Sequence, residues 1–345
     1  LDIDLVSDCG MVFGTSDIMK RYILFLALPV MALLQSYIVI AQKDTPHDST
    51  YFKTYPGSLT ARVYTSYKYA MVGFPSPAGE TKYLAHTKYG LGIGATYNNF
   101  TLNVAYGIGY LDNNKADKSK GLDFQLHLFP YKWAADAVFT SYKGAYNGSN
   151  NAGTARNNNG NTQNIKLDFI GLSLYRVPNA NKFSYRAAMV QNEWQKKSAG
   201  SLLYGANIYY GQIKSDSTLV ITKDDNSVLQ PVNNVHFIAA GPGVGYAYTL
   251  VAAQHFFLTG SLAANLDVIF TTEQSDVINN NKTSVNPLAI YKAAAGYNSD
   301  SWSIAAIVGG NALLFKGDAE NKPSYMSTGQ FKIFVAKKIM LKHKS

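Results

Sequence analysis

Residues 100–110 read FTLNVAYGIGY, and the fold follows from them. Phe100, Leu102, Val104, Tyr106, Ile108 and Tyr110 fall on one side, with Thr101, Asn103, Ala105, Gly107 and Gly109 on the other. Side chains of an extended strand alternate faces with a period of two, so the segment has one oily face and one small or polar face. Its length also suits a tilted strand that crosses a bilayer.

The pattern recurs outward from this stretch. In 59–68 (LTARVYTSYK), Leu59, Ala61, Val63 and Tyr67 oppose Thr60, Arg62, Ser66 and Lys68. Segments 122–129 (LDFQLHLF) and 202–211 (LLYGANIYYG) repeat it. The longest case is 255–270 (HFFLTGSLAANLDVIF), with Phe256, Leu258, Leu262, Leu266, Val268 and Phe270 on one face and Thr259, Ser261, Asn265 and Asp267 on the other. Soluble sandwiches alternate too. Strand length, an export signal and charges set opposite the oily face favour a membrane barrel.

That signal is expected near the start. Met19-Lys20-Arg21 opens a basic region, Tyr22 to Ile40 is almost wholly apolar, and Val39-Ile40-Ala41 fits cleavage after Ala41. Residues 1–18 read as an over-extended gene start, 19–41 as the signal peptide and 42–57 as an N-terminal periplasmic segment. Residues 58–339 form the barrel, and a basic tail follows at 340–345. Cleavage would leave 29 basic and 18 acidic residues and remove Cys9, the one cysteine. Such a chain is not a disulfide scaffold or a thiol enzyme. A Tyr- and Gly-rich exported chain without apolar helical runs has the composition of a closed barrel.

Connections give a second clue. Tight turns are expected at Asn98-Asn99, Pro130-Tyr131, Pro178 to Asn181, Val251 to Ala253 and Asn298 to Asp300. Long loops are expected at 69–88, 111–120, 147–163, 271–285 and 316–325. This alternation fits tight periplasmic turns and long outer loops. The spacing predicts an all-β, closed antiparallel transmembrane barrel of about 14 strands. The fourteenth is an extra short strand at Thr218 to Thr222, and 12 is the fallback. The strand 329–339 closes the ring with Phe331, Ile333, Val335 and Ile339 outward.

Chemistry-bearing patterns are sparse. His47, His86, His127, His236, His255 and His343 are scattered, so no metal ligand set or cofactor is expected. GLGIG (90–94) and GPGVG (241–245) precede no helix and read as bare strand faces rather than phosphate loops. Ser261 and His255 lie six residues apart on one strand, too far for a dyad. Excess positive charge without a basic helix points to anionic lipid headgroups of the outer membrane, not to nucleic acid.

The polar face nominates lumen residues. From the first half of the chain these are Arg62, Asn103, Asp123, Gln125, His127 and Asp136. From the second half they are Arg186, Asn207, Asn265 and Asp267. Arg186 is expected on the inward face of a strand FSYRAAMVQ (183–191). A charged hairpin is expected at QNEWQKKS (191–198), with Glu193, Lys196 and Lys197 near a barrel mouth and Trp194 as an interface anchor.

These stretches carry a family resemblance. YFKTYPGSLTARVY (51–64), LGIGATYNNFTLNVAYGIGYL (91–111), FSYRAAMVQNEWQKKSAGSLLYG (183–205), GPGVGYAYT (241–249) and HFFLTGSL (255–262) resemble a Bacteroidetes-type family known as domain of unknown function 4421. The resemblance implies an outer-membrane barrel of a Gram-negative envelope and supplies no catalytic residues. The expected role is a narrow or plugged pore for small polar solutes. The alternatives are a scaffold subunit of an envelope secretion or assembly complex, and a rim-sited lipid-modifying or proteolytic barrel enzyme.

Overall fold

The structure, a computed structural model, describes residues 46–76, 79–85, 89–97, 100–107, 120–130, 132–147, 165–216, 218–223, 229–317 and 323–341. The expected signal peptide and gene-start extension lie outside these residues, as do most of the 111–120 and 147–163 loops.

In chain order the strands are β1 (Phe52–Lys53), β2 (Ser58–Ser76), β3 (Gly79–Ala85), β4 (Gly90–Tyr97), β5 (Phe100–Gly107), β6 (Lys120–Leu128), β7 (Trp133–Asn147) and β8 (Ile165–Arg176). After a short helix, α1 (Tyr185–Met189), come β9 (Trp194–Gln195), β10 (Ala199–Lys214), β11 (Val220–Lys223) and β12 (Leu229–Val232). The chain ends with β13 (Asn234–Ala252), β14 (Phe256–Gln274), β15 (Asn279–Asn298), β16 (Trp302–Phe315) and β17 (Ser324–Met340).

Twelve of these strands form one closed antiparallel ring, in the order β2, β4, β5, β6, β7, β8, β10, β13, β14, β15, β16, β17. The ring shuts where β17 pairs with β2, from Met340 against Ser58 to Tyr325 against Gly73. Closure leaves no open edge, as a lipid environment demands of a sheet. β3 stands outside the ring. It pairs with Met71–Ser76 of β2 and with three residues of β7.

The outward face is oily. Phe256, Leu258, Leu262, Leu266 and Phe270 of β14 are each 57–59% exposed, and Phe100, Leu102 and Val104 of β5 also point outward. A continuous apolar belt of this kind would be an aggregation hazard in water and is the expected face toward lipid. At the turn end, where β6 meets β7 and β15 meets β16, two ring-cation pairs decorate the wall. Arg176 lies 4.9 Å from the Trp133 ring and Lys337 lies 5.1 Å from Trp302. Amphipathic rings at that level suit a headgroup boundary.

The inward face changes character along its length. At the loop end an aromatic and aliphatic cluster fills much of it. Phe315 stacks on Phe237 at 4.9 Å and meets Phe74 edge-on at 6.2 Å, and all three are at most 1% exposed. Leu219, just before β11, and Val232, the last residue of β12, join the same cluster. Nearer the turn end polar and charged inward side chains are interspersed with a smaller apolar cluster that includes Phe257 and Phe334.

Three expectations need correction. The ring has twelve strands, the fallback count rather than fourteen. The extra segment near Thr218 to Thr222 does become β11, but it pairs only with β12, in a hairpin between β10 and β13. The supposed loops 69–88 and 271–285 are largely strand. Ala70, Val72 and Phe74 on the lumen face pack into the loop-end core, and Tyr69 and Met71 on the other face are apolar too, so alternation vanishes. Finally, FSYRAAMVQ is no strand, and no tight turn joins β8 to β10. Residues 177–198 make a long insertion containing α1 and β9.

Candidate functional site

The insertion between β8 and β10 folds back into the barrel mouth as a plug. Ser184 starts α1: its hydroxyl accepts from Ala187 N at 2.9 Å and donates to Glu193 Oε2. A polar cap of this kind satisfies an orphan helix amide. Phe183, Tyr185, Ala187, Ala188 and Val190 are buried against the wall. Polar contacts fix the plug in register. Tyr185 Oη meets Ser261 Oγ at 2.5 Å, Asn298 Nδ2 donates to Glu193 O at 2.9 Å, and Trp194 Nε1 donates to Gln254 O at 2.7 Å.

Gln195 ties the segment together. Its Nε2 donates to Lys182 O at 2.7 Å and Lys197 O at 3.0 Å, while its Oε1 accepts from Ser184 N at 2.8 Å. The N-terminal strap reinforces this through β1, which pairs with β9. Lys53 reaches Asp300 Oδ1 at 2.5 Å, and Tyr55 Oη donates to the same oxygen at 2.8 Å. These two donors hold the Asp300 carboxyl below its ordinary value of 3.8.

Between the plug and the loop-end core lies a chamber of about 120 Å³, lined by Arg62 of β2, His127 of β6, Asp136 of β7, Lys292 of β15 and Lys332 of β17, with Val190 of the plug. Asp136 is a hub: His127 Nδ1 reaches one oxygen at 2.5 Å and Lys292 Nζ the other at 2.5 Å. The Lys292 ammonium also lies 5.5 Å from the Tyr185 ring and 5.9 Å from Phe129. Lys332 sits 5.4 Å from Tyr64. Arg62 is 7% exposed; its Nη2 donates to Thr96 Oγ1 and, at 2.7 Å, to Val190 O. Its Nη1 reaches Asn103 Oδ1 at only 3.5 Å, and its Nε finds no acceptor.

Glycines make this arrangement sterically possible. A Cβ on Gly94 would come within 2.9 Å of Arg62 Cγ and closer still to Asn103 Oδ1, and one on Gly92 would strike the Tyr64 ring. The GLGIG stretch is therefore the bare wall opposite bulky lumen side chains.

Arg62, Asn103, His127 and Asp136 converge on the chamber. His127 pairs with Asp136 on the next strand. Asp123 and Gln125 belong to β6, but their side chains lie outside the described residues. Asn207, Asn265 and Asp267 point inward in a second cluster: Asn207 Nδ2 donates to Asp267 Oδ2 at 2.7 Å, and Tyr175 Oη donates to Asn265 Oδ1 at 2.5 Å. Arg186 is on α1 and pairs with Glu193 within the plug. Glu193 is 3% exposed, so the expected hairpin is a packed insertion, and Trp194 is buried at 8% rather than an interface anchor. Lys196 and Lys197 lie near the rings of Trp194 and Tyr51 at 5.5 Å each.

Sequence reading passed over Lys292, Lys332, Gln195 and Asn298. Lys332 was recoverable, because it stands between the outward Phe331 and Ile333. The other contacts join residues far apart in the chain. His255 stacks on Trp194 and Tyr297 and its Nδ1 donates to Asn298 O at 2.9 Å, while Ser261 is held by Tyr185. Among the described residues no group of three or more His, Cys, Asp or Glu is arranged to hold a metal ion.

Fold and site together define a transmembrane-type β-barrel with an internal plug. The chain belongs to the family described as Domain of unknown function (DUF4421), whose model matches residues 46–336. No curated protein matches it. Among solved structures it is similar to outer-membrane expressed OmpT of Vibrio cholerae, at 10% identity over 83% of this chain and 99% of that one, with a TM-score of 0.29. The CymD monoaromatic hydrocarbon channel gives 10% identity over 84% and 90%, with a TM-score of 0.29. The P. putida toluene transporter TodX gives 9% over 84% and 91%, with a TM-score of 0.22.

Proposed function

We propose that this protein is an outer-membrane pore closed at rest, in which the central chamber takes a small polar solute and the plug controls its passage. The carrying observation is the chamber itself: ionisable side chains from five wall strands converge on a space bounded by α1 and its flanking residues. A purely structural barrel of this size gains nothing from burying such groups, since charges taken out of water cost free energy unless paired. The plug's attachment through hydrogen bonds such as Asn298 to Glu193 O supports release, because water can replace those partners.

Filling of the lumen at both ends favours a second reading, a scaffold subunit of an envelope complex. Planar-bilayer recording separates the two. The wild type should show a flat baseline with rare, brief openings. Asn298→Ala removes donors to the plug and should raise opening frequency about 10-fold, the equivalent of one or two hydrogen bonds. Silence of both proteins at every voltage and salt concentration would leave the scaffold reading.

A further inference from the structure

We infer that the chamber is a binding site for a small oxyanion, a carboxylate or a phosphate; the inference deepens the pore reading above by naming the solute class at the same site. Among the described residues lining the chamber, cationic side chains outnumber carboxylates. Arg62, Lys292 and Lys332 line it, and Asp136 is the one carboxylate among the described lining residues. Both oxygens of Asp136 are already occupied, one by His127 and one by Lys292. Neither oxygen makes an ion pair with Arg62.

Arg62 is the decisive residue. It is buried, no carboxylate among the described residues lies within ion-pair distance, and its Nε is buried with no acceptor. Its hydrogen-bond partners are neutral: a threonine hydroxyl, a backbone carbonyl and a distant amide oxygen. A guanidinium stays charged at any accessible pH, so it cannot escape burial by losing a proton. A buried cation without a counter-charge is costly, and a mobile anion beside it removes that cost.

The rest of the chamber suits such a guest. Lys332 contributes a second positive charge from the closing strand, and Asn103 a neutral amide. Guanidinium and ammonium groups together favour oxyanions, since charge-assisted hydrogen bonds to carboxylate and phosphate are the stronger kind. A water needs roughly 10–15 Å³ of such space, so the chamber accommodates about eight waters, or one small oxyanion with a few. Tyr64, Phe129 and Tyr209 add aromatic walls to it.

The test is equilibrium binding to the full chain, folded in detergent, with inorganic phosphate in one arm and succinate in the other. Sodium chloride at matched ionic strength is the control. Saturable binding in either arm, weakened about 10-fold or more by Arg62→Gln or Lys332→Gln, is the expected result. The stronger arm identifies the source of the oxyanion. Lys332→Gln carries the test alone if Arg62→Gln does not fold. Absence of saturable binding in both arms overturns the inference, as does binding that the folded variants leave unchanged. Openings in bilayers without oxyanion binding would remove this inference and keep the pore. Binding without openings would do the reverse.

Discussion

At the scale of single residues, the lumen is organised by what is missing as much as by what is present. Gly92 and Gly94 in β4 have no side chain where Tyr64, Arg62 and Asn103 need room. Gly94→Val should therefore push Arg62 and Asn103 out of place. Overpacking of this kind costs about 1–3 kcal/mol, to be read as a lower midpoint of thermal unfolding in detergent. An unchanged midpoint would mean that Arg62 and Asn103 are not packed against this wall. The outward residues of β14 and β17 were legible in the sequence because lipid imposes a period of two on them. The partner of His127 was not, because Asp136 lies on a neighbouring strand and only the register, which aligns His127 with Asp136, brings them together.

At the scale of elements, the plug and the N-terminal strap are one assembly. β1 pairs with β9, Lys196 N donates to Tyr51 O at 2.7 Å, and Asp300 in the β15–β16 turn receives both Lys53 and Tyr55. Because the folded carboxyl of Asp300 titrates below its ordinary value of 3.8, its contribution is present above that value and is lost as pH falls through the folded value. The strap should stay docked at neutral pH and loosen in acid below about pH 4, a modest effect at an exposed pair. Hydrogen exchange across residues 51–57 measures it, and Asp300→Asn should lose the pH dependence. Equal protection at both pH values would show that the pair does not hold the strap.

The plug was hidden in the sequence for a physical reason. α1 spans five residues, too few for a helical period to show, and Phe183, Tyr185, Ala187 and Met189 happen to alternate as a strand would. Its identity depends on contacts with Arg62, Ser261 and Asn298, which sequence spacing does not reveal. The loop-end strands were missed for a different reason. There the lumen face is as apolar as the lipid face in β2, while the ends of β14 and β15 are polar on both faces. Alternation reports a strand only where its two sides meet different surroundings.

At the scale of the molecule, the barrel is a wall of twelve strands enclosing three zones: an aromatic and aliphatic core toward the loops, a charged chamber, and a plug at the turns. Twelve strands fall between small barrels filled by side chains and larger ones that leave a channel. Here the cross-section is divided between side-chain packing and an inserted segment. The architecture was legible from FTLNVAYGIGY and its relatives. The plug, on which the proposed function depends, was not.

The most direct measurement is therefore of the plug's place. A photoreactive benzoylphenylalanine at position 185, in the full chain folded in lipid, can be activated and its crosslinked peptide mapped by mass spectrometry. The side chain of Tyr185 meets Ser261, so the crosslink should fall on the inward face of β14 around that residue. Crosslinks to lipid, to a second chain or to the outward face of any strand would contradict a plug inside the lumen.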